Sequence, residues 1–118
     1  EGRPAPLTAG EEVRDYLHVE DVAEAIVAVA TSTLTGAVNI ASGQPVTVGD
    51  VATKIAGIIG RPELLQFGAY QAAATDEPHV VADVTKLNAI WRPRVGLEDG
   101  LAGTIEWWRQ ARSARSGR

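Results

Sequence analysis

Short strand-like runs alternate with stretches of helical periodicity along this sequence, and that order restricts the folds it can adopt. Residues 13–18 are rich in β-forming side chains and predict a strand. Apolar residues then recur at helical spacing over 19–29, with acids in the first turn, which predicts an amphipathic helix. Residues 37–41 predict another short strand. Because the connections are short, the pattern favours an α/β fold over a helix bundle.

The second half of the chain continues the alternation. A helix is predicted between Thr47, a favourable N-cap, and Gly60, a favourable helix stop. Residues 64–67 indicate a strand, and residues 80–82 indicate an extended run followed by a brief helix. A last helix of three to four turns is predicted over 97–108.

Composition narrows the class of protein. The 118 residues, 45% apolar and 22% charged, suit one small domain or a piece of a larger protein, and the first residue is Glu rather than Met, as expected of an excised segment. There is no Cys and no apolar run long enough to span a bilayer. The net charge is −4 although residues 109–118 carry four Arg and no acid, so the remainder repels nucleic acid. We expect a cytoplasmic protein with neither membrane nor nucleic acid as partner.

The chain lacks the motifs of several common enzyme classes. No glycine-rich turn follows a strand, so no dinucleotide pyrophosphate site is predicted. Neither Tyr16 nor Tyr70 has a Lys four residues later. His18 and His79 have no metal-ligand spacing, and no Ser lies in a nucleophile elbow. We therefore expect no catalytic, cofactor-binding or metal-binding residue within this chain.

Five motifs, in order, resemble the NAD-dependent nucleotide-sugar epimerases and dehydratases, a family of extended short-chain dehydrogenases. They are Arg-Asp-Tyr-Leu-His-Val-Glu-Asp-Val-Ala at 14–23, Val-Asn-Ile-Ala-Ser-Gly at 38–43, Val-Thr-Val at 46–48 with its helix, Val-Ala-Asp-Val-Thr-Lys-Leu at 81–87 with Trp-Arg-Pro at 91–93, and the closing stretch 97–108. Each motif is weak alone, but the resemblance covers residues 2–110 and the order is specific.

The resemblance implies the fold and the partners of the chain. Residues 1–112 would be the C-terminal substrate-binding lobe, with flanking elements, of a Rossmann-type enzyme whose Rossmann half is absent, and residues 113–118 a disordered Arg/Ser tail. The parent protein would bind NAD or NADP and a nucleoside-diphosphate sugar, and would act as an epimerase, dehydratase or 4-ketoreductase. This segment alone would bind no cofactor, and the missing N-terminal Rossmann half would be its partner. The alternative is a stand-alone, non-catalytic module that binds a nucleotide sugar or a partner chain.

Arg14 is the first candidate site residue. A diphosphate needs a permanent cation that can form two parallel hydrogen bonds, and a guanidinium supplies one. The resemblance assigns the substrate diphosphate to this position. Residues alone also permit a plain strand-surface Arg paired with Glu12 or Glu20, a contact worth little energetically.

Leu7 and Thr8 are the other candidates. By resemblance they lie where the chain passes the nucleotide base and ribose, although an ordinary extended segment explains them equally well. One departure bears on affinity, because family members commonly carry a second Arg in a region where residues 62–85 contain no Lys or Arg. We interpret Asp15 as a brace for Arg14 or for a nearby turn, and Asp21 as a helix-capping or dipole-complementing residue.

Overall fold

A computed structural model describes residues 2–73 and 76–116 of the chain. In chain order its elements are β1 (Ala5–Pro6), β2 (Val13–Asp15), α1 (Val19–Ala30), β3 (Pro45–Thr47), α2 (Val48–Ile59), a 3-10 turn (Pro62–Leu64), β4 (Leu65–Gln66), α3 (Thr85–Asn88) and α4 (Leu97–Ser116). The strands are short and the helices carry most of the regular structure. The predicted α/β character is confirmed.

The strands form two small sheets. β1 pairs in parallel with β4, and β2 pairs antiparallel with β3, which places Arg14 opposite Val46. The other edge of β2 is hydrogen-bonded to residues 78–80. The amide of Val13 donates to the carbonyl of Pro78 at 2.9 Å, and the amide of Val80 donates to the carbonyl of Val13 at 3.0 Å. β2 is therefore held from both sides.

The strand predicted over 13–18 ends at Asp15, because the residues that follow it form the start of α1 and its N-cap. His18 is the N-cap of that helix, and its Nδ1 accepts a hydrogen bond from the amide of Glu20 at 3.4 Å. The strand predicted over 37–41 has no paired partner in the part of the chain that the structure describes. Its sequence is strand-like, but a strand needs a neighbouring backbone to pair with.

The limits of α2 are those that its local sequence predicts. The hydroxyl of Thr47 accepts from the amide of Asp50 at 2.9 Å, which satisfies one of the free donors of the first turn. Gly60 ends the helix in the left-handed conformation, with φ of 74°. Both ends depend on residues next to the helix, which is why sequence reasoning locates them.

The core is small. Ala25 of α1 and Leu87 of α3 are fully buried beside Trp91, and apolar side chains from α1 and from residues 38–40 pack around them. Trp91 is thus a core aromatic. Trp107 and Trp108 lie outside this core, since 61% and 54% of their surfaces are exposed on α4.

Helix α4 is longer than predicted. It extends from Leu97 to Ser116, so residues 113–116 are helical where we expect a disordered tail, while 117 and 118 lie outside the described residues. Ala and Arg favour helix, and the hydroxyl of Ser113 bonds back to the carbonyl of Arg109 at 3.1 Å. No helix within 2–73 and 76–116 is long and apolar enough to cross a membrane.

Candidate functional site

Arg14 lies on β2 with a half-buried side chain. Its Nη1 donates to the carbonyl of Val13 at 2.8 Å, which uses one of the five guanidinium N–H groups. Among residues 2–73 and 76–116 it forms no ion pair with a carboxylate, so neither Glu12 nor Glu20 neutralises it. The pairing that the residues alone permit is absent, and a fixed positive charge stays available.

Asp15, the next residue of β2, holds the strand in place. Its Oδ1 accepts from the amide of Ser42 at 2.8 Å and from the Ser42 hydroxyl at 2.7 Å. Its Oδ2 accepts from the amides of Gly43 at 2.8 Å and Ala82 at 3.3 Å. Of the two braces that sequence reasoning offers for Asp15, the observed bonds go to the turn.

These hydrogen bonds also change the acidity of Asp15. Burial, the largest single influence, raises its pKa, but the bonds from the Ser42 hydroxyl and from three backbone amides together outweigh it, and the pKa lies below the ordinary 3.8. The carboxylate is therefore charged at neutral pH, and its charge is balanced by fixed dipoles rather than by Arg14.

The turn that Asp15 binds depends on glycine. Gly43 has φ of +70°, a conformation that side chains with a Cβ rarely adopt. A Cβ at this position would lie 2.6 Å from Cγ2 of Val84. The backbone of this turn thus packs directly on the segment that leads into α3, and the Nδ2 of Asn39 reinforces that contact by donating to the carbonyl of Asp83 at 3.0 Å.

Leu7 and Thr8 follow β1 at the edge of the other sheet. The amide of Leu7 donates to the carbonyl of Gln66 at 2.9 Å, and its carbonyl accepts from the amide of Tyr70 at 3.1 Å. The Thr8 hydroxyl donates to Glu12 at 3.2 Å and accepts from the amide of Gly10 at 3.2 Å. These two residues are adjacent in sequence, but no hydrogen bond within the described residues joins either of them to Arg14.

A groove of about 420 Å³ opens beside the loop that links β1 to β2. It is lined by Ala9, Glu11, Glu12, Gly68, Tyr70, Gln71, Ala72, Asp76 and Pro78. The lining contains three acids and no Lys or Arg, and it does not include Leu7, Thr8 or Arg14. This acidic lining therefore disfavours binding of a diphosphate in the groove.

Asp21 has a role that sequence reasoning does not give. Only 2% of its surface is exposed, and its carboxylate accepts from the amides of Arg94, at 3.2 and 3.1 Å, and of Val95, at 2.9 Å. Asp21 lies in the first turn of α1, where the helix dipole favours an acid, but its carboxylate also ties α1 to the segment before α4. Its partners lie over 70 residues away, which local pattern cannot reveal.

A second cleft, of about 240 Å³, lies between the end of β2 and that same segment. Polar groups from Tyr16, Ser42, Gln44 and Arg94 line it together with apolar side chains. The guanidinium of Arg94 is mostly exposed and pairs with Glu24 at 3.2 Å. Sequence reasoning assigns no role to Gln44 or Arg94, and nothing in the local pattern marks them. No cluster of three metal-ligating side chains occurs in the described part of the chain.

Comparison with known proteins identifies the family. The model of the NAD dependent epimerase/dehydratase family matches residues 1–41. GDP-L-fucose synthase 1 of Arabidopsis thaliana is 34% identical over 102 residues, which are 84% of this chain and 31% of that protein. GDP-L-fucose synthase of Escherichia coli K12 is 30% identical over 111 residues, 85% of this chain and 34% of that protein. This chain belongs to the NAD-dependent epimerase/dehydratase family.

Solved members of the family share the fold of this segment. Thermotoga maritima UDP-glucose 4-epimerase, solved with UDP-glucose, aligns with a TM-score of 0.78 at 30% identity over 86% of this chain and 33% of its own. MoeE5, solved with UDP-glucuronic acid and NAD, aligns with a TM-score of 0.78 at 33% identity over 93% of this chain and 38% of its own. The chain thus spans about a third of the length of the relatives that it matches.

Proposed function

We propose that this chain is the C-terminal, nucleotide-sugar-binding part of an NAD(P)-dependent epimerase, dehydratase or 4-ketoreductase. In this proposal Arg14 binds the diphosphate of the substrate, and Leu7 and Thr8 lie beside its base and ribose. NAD or NADP is held by the Rossmann part of such a protein, and none is bound by this segment alone. The segment contributes no catalytic side chain.

The observation that carries the proposal is the state of Arg14. Its guanidinium is half-buried, tethered at one nitrogen to the carbonyl of Val13, and paired with no carboxylate in the described residues. Most of the N–H donors of this guanidinium have no partner among the described residues, and neighbouring hydrogen bonds fix the strand that carries it. Such a cation is suited to binding a phosphate. Asp15 supports this role, because its four hydrogen bonds fix the backbone of β2 on which Arg14 is carried.

The surroundings of Leu7 and Thr8 define what each can offer a ligand. Both backbone groups of Leu7 are already hydrogen-bonded, so its contribution is the apolar side chain against a base or ribose. The Thr8 hydroxyl donates to Glu12, so it can accept one further bond but has no proton left to donate. A ligand donor such as a ribose hydroxyl fits this arrangement better than a second acceptor.

The absence of a second cation supports a modest affinity. Residues 62–85 contain no Lys or Arg, and the groove beside the loop is lined by Glu11, Glu12 and Asp76. Arg14 is then the principal attraction for the diphosphate within this segment. The segment's contribution to the reaction is binding energy from the remote nucleotide, which positions the sugar for chemistry carried out by groups of the Rossmann part.

Titration calorimetry of the 118-residue chain with GDP, UDP and dTDP tests the proposal. We expect at least one nucleotide to bind, and Arg14→Ala to weaken that binding about 10–100-fold, since a hydrogen-bonded charge pair is worth about 1.5–3 kcal/mol. Arg109→Ala is the matched control, because it removes the same charge from an exposed ion pair on α4. Equal affinities of the two variants, or no binding by the wild-type chain, would contradict the assignment of Arg14.

A further inference from the structure

Helices α2 and α4 pack side by side and leave a groove of about 470 Å³ between them. Its apolar lining comes from Ile55 and Ile59 on α2 and from Leu101, Ile105 and Trp108 on α4. Ile59 exposes 45% of its surface and Trp108 exposes 54%. The groove is therefore an open apolar surface carried by two helices, and contact of such a surface with water is unfavourable.

One stripe of α4 joins the apolar part of this groove to opposite charges at its two ends. The stripe consists of Glu98, Leu101, Ile105, Trp108 and Arg112, at successive spacings of three, four, three and four residues. This spacing places the side chains on one side of the helix, and it is typical of helices that pack against each other along their length. The stripe is acidic at its N-terminal end, apolar in the middle and basic at its C-terminal end.

The order of these charges makes the stripe complementary to an antiparallel copy of itself. Glu98 and Arg112 each lie seven residues from Ile105, so each is roughly 10 Å from it along the helix axis. In an antiparallel pair with a two-fold axis near Ile105, Glu98 of one copy lies at the level of Arg112 of the other. A parallel pair would instead bring like charges together at both ends. Self-complementarity of this kind is the property of a two-fold symmetric dimer interface.

The ion pairs within α2 and α4 do not prevent this contact. Glu98 pairs with Lys54 at 3.8 Å, and the Glu98 side chain is 78% exposed. Arg109, which lines the groove beside the stripe, pairs with Glu106 at 3.9 Å and is 56% exposed. Exposed pairs at such distances contribute little to stability, so these side chains can reach a second helix without losing a strong contact.

Trp108 is a large aromatic side chain held at the edge of the groove. Its ring lies edge-to-face with that of Trp107, with the centroids 5.0 Å apart and an angle of 80° between the planes. Trp107 does not line the groove between α2 and α4 and lies beside Val19 of α1 instead. Exposed aromatic side chains of this kind often supply most of the binding energy at protein interfaces.

The available area suits a weak dimer. Helix α4 is about 30 Å long and α2 about 18 Å, and each is about 10 Å wide. The two helices therefore offer about 500 Å² per copy, or about 1,000 Å² in total, which is the lower limit for a specific interface. An interface of this size predicts a dimer that dissociates in the micromolar range.

We propose that the groove between α2 and α4 is a self-association surface, and that its occupant is α4 of a second, antiparallel copy of this chain. Trp108 of each copy then packs on the apolar groove of the other, and Glu98 of each copy lies beside Arg112 of the other. The proposed dimer does not depend on the proposed function, since Leu7, Thr8 and Arg14 lie outside the groove.

Sedimentation equilibrium of the 118-residue chain tests the surface. We expect a reversible monomer–dimer equilibrium within about 1–500 µM. Trp108→Glu should weaken the dimer at least about tenfold, because the new carboxylate would lie in an apolar interface. Trp107→Glu is the matched control: it makes the same change at the next residue, which is 61% exposed compared with 54%, and it should leave dimerisation unchanged. A chain that stays monomeric throughout, or equal weakening by both variants, overturns the proposal.

Exchange of the charges tests the antiparallel order. Glu98→Arg and Arg112→Glu should each weaken the dimer about three- to thirtyfold at low salt, because each variant brings like charges together at both ends of the interface. The double variant should dimerise within about threefold of the wild-type chain. The two residues are about 20 Å apart along one helix, so restoration reports a contact between copies. A double variant as weak as the single variants overturns the antiparallel arrangement.

Other outcomes have separate readings. The circular dichroism of every variant should equal that of the wild-type chain, so that loss of the dimer is not loss of the fold. A dimer that persists in Trp108→Glu and is lost in Ile26→Glu would lie on α1 and would overturn the proposal. Trp108→Glu should bind nucleotide with unchanged affinity, because Arg14 lies outside the groove. Failure of self-association therefore leaves the assignment of Arg14 intact, and the reverse also holds.

Discussion

Asp15 accepts hydrogen bonds from both the amide and the hydroxyl of Ser42, at 2.8 and 2.7 Å, across 27 residues of sequence. One short side chain therefore joins β2 to the turn that follows residues 38–40. The same carboxylate reaches Ala82, so three separate segments meet at this single anion. The short strand that carries Arg14 does not belong to a large sheet, and the hydrogen bonds of the next residue, Asp15, help to fix its position.

Replacement of Asp15 by Asn should destabilise the chain by about 2–4 kcal/mol. The Asn amide has one acceptor oxygen, whereas the carboxylate has two, and the amide is uncharged, so its hydrogen bonds are weaker. The measurement is urea unfolding followed by circular dichroism. Asp83→Asn is the control, since Asp83 is exposed and its carboxylate bonds only to Thr85 among the described residues. A loss for Asp83→Asn as large as that for Asp15→Asn would show that Asp15 has no special role.

The stability of the chain should also depend on pH through Asp15. Its folded pKa lies below the ordinary value of 3.8, so below that value the unfolded chain binds the proton more readily than the folded chain. The stabilisation is complete above pH 3.8 and is lost as the pH falls through the folded pKa. We expect the fall in unfolding free energy between pH 6 and pH 3 to be smaller in Asp15→Asn than in the wild-type chain. Parallel curves would exclude Asp15 as a source of acid sensitivity.

Features set by neighbouring residues follow from the sequence. Thr47 and Gly60 mark the two ends of α2 because a cap and a left-handed stop act within one turn of the helix. The β-forming side chains of 13–18 place Arg14 on a strand in the same local way. The position of Arg14 on a strand is therefore predictable from a few neighbouring residues. The absence of an ion pair at Arg14 among the described residues is not predictable in this way.

Features that depend on contacts between distant parts of the chain cannot be predicted from the local sequence. The bonds from Asp21 to Arg94 and Val95 depend on how two segments over 70 residues apart approach each other. The predicted strand at 37–41 has the right composition, but pairing needs a neighbouring backbone that the described residues do not supply. The apolar stripe of α4 ends at Trp108, whereas helix propensity continues the element to Ser116.

Replacement of Asp21 by Ala should cost about 2–4 kcal/mol, because two backbone amides would lose the buried carboxylate that accepts their hydrogen bonds. Asp21→Asn should cost less, since one oxygen remains. Thermal and urea unfolding measure both variants. Glu24→Gln, one turn along α1 at an exposed ion pair, should change the unfolding free energy by less than about 0.5 kcal/mol. Indistinguishable stabilities of Asp21→Ala and Glu24→Gln would contradict the tether.

The two glycines at 43 and 57 should respond in opposite directions to the same substitution. Gly43→Ala places a Cβ against Val84 at a left-handed position, and we expect a loss of about 1–3 kcal/mol. Gly57 lies within α2, and the position that an alanine Cβ would take there is open space, so Gly57→Ala should gain about 0.5–1 kcal/mol from better helix propensity. Urea unfolding of both variants measures the difference. A loss at Gly57 would contradict the expected gain, since a Cβ there meets open space and Gly57 does not have a positive φ.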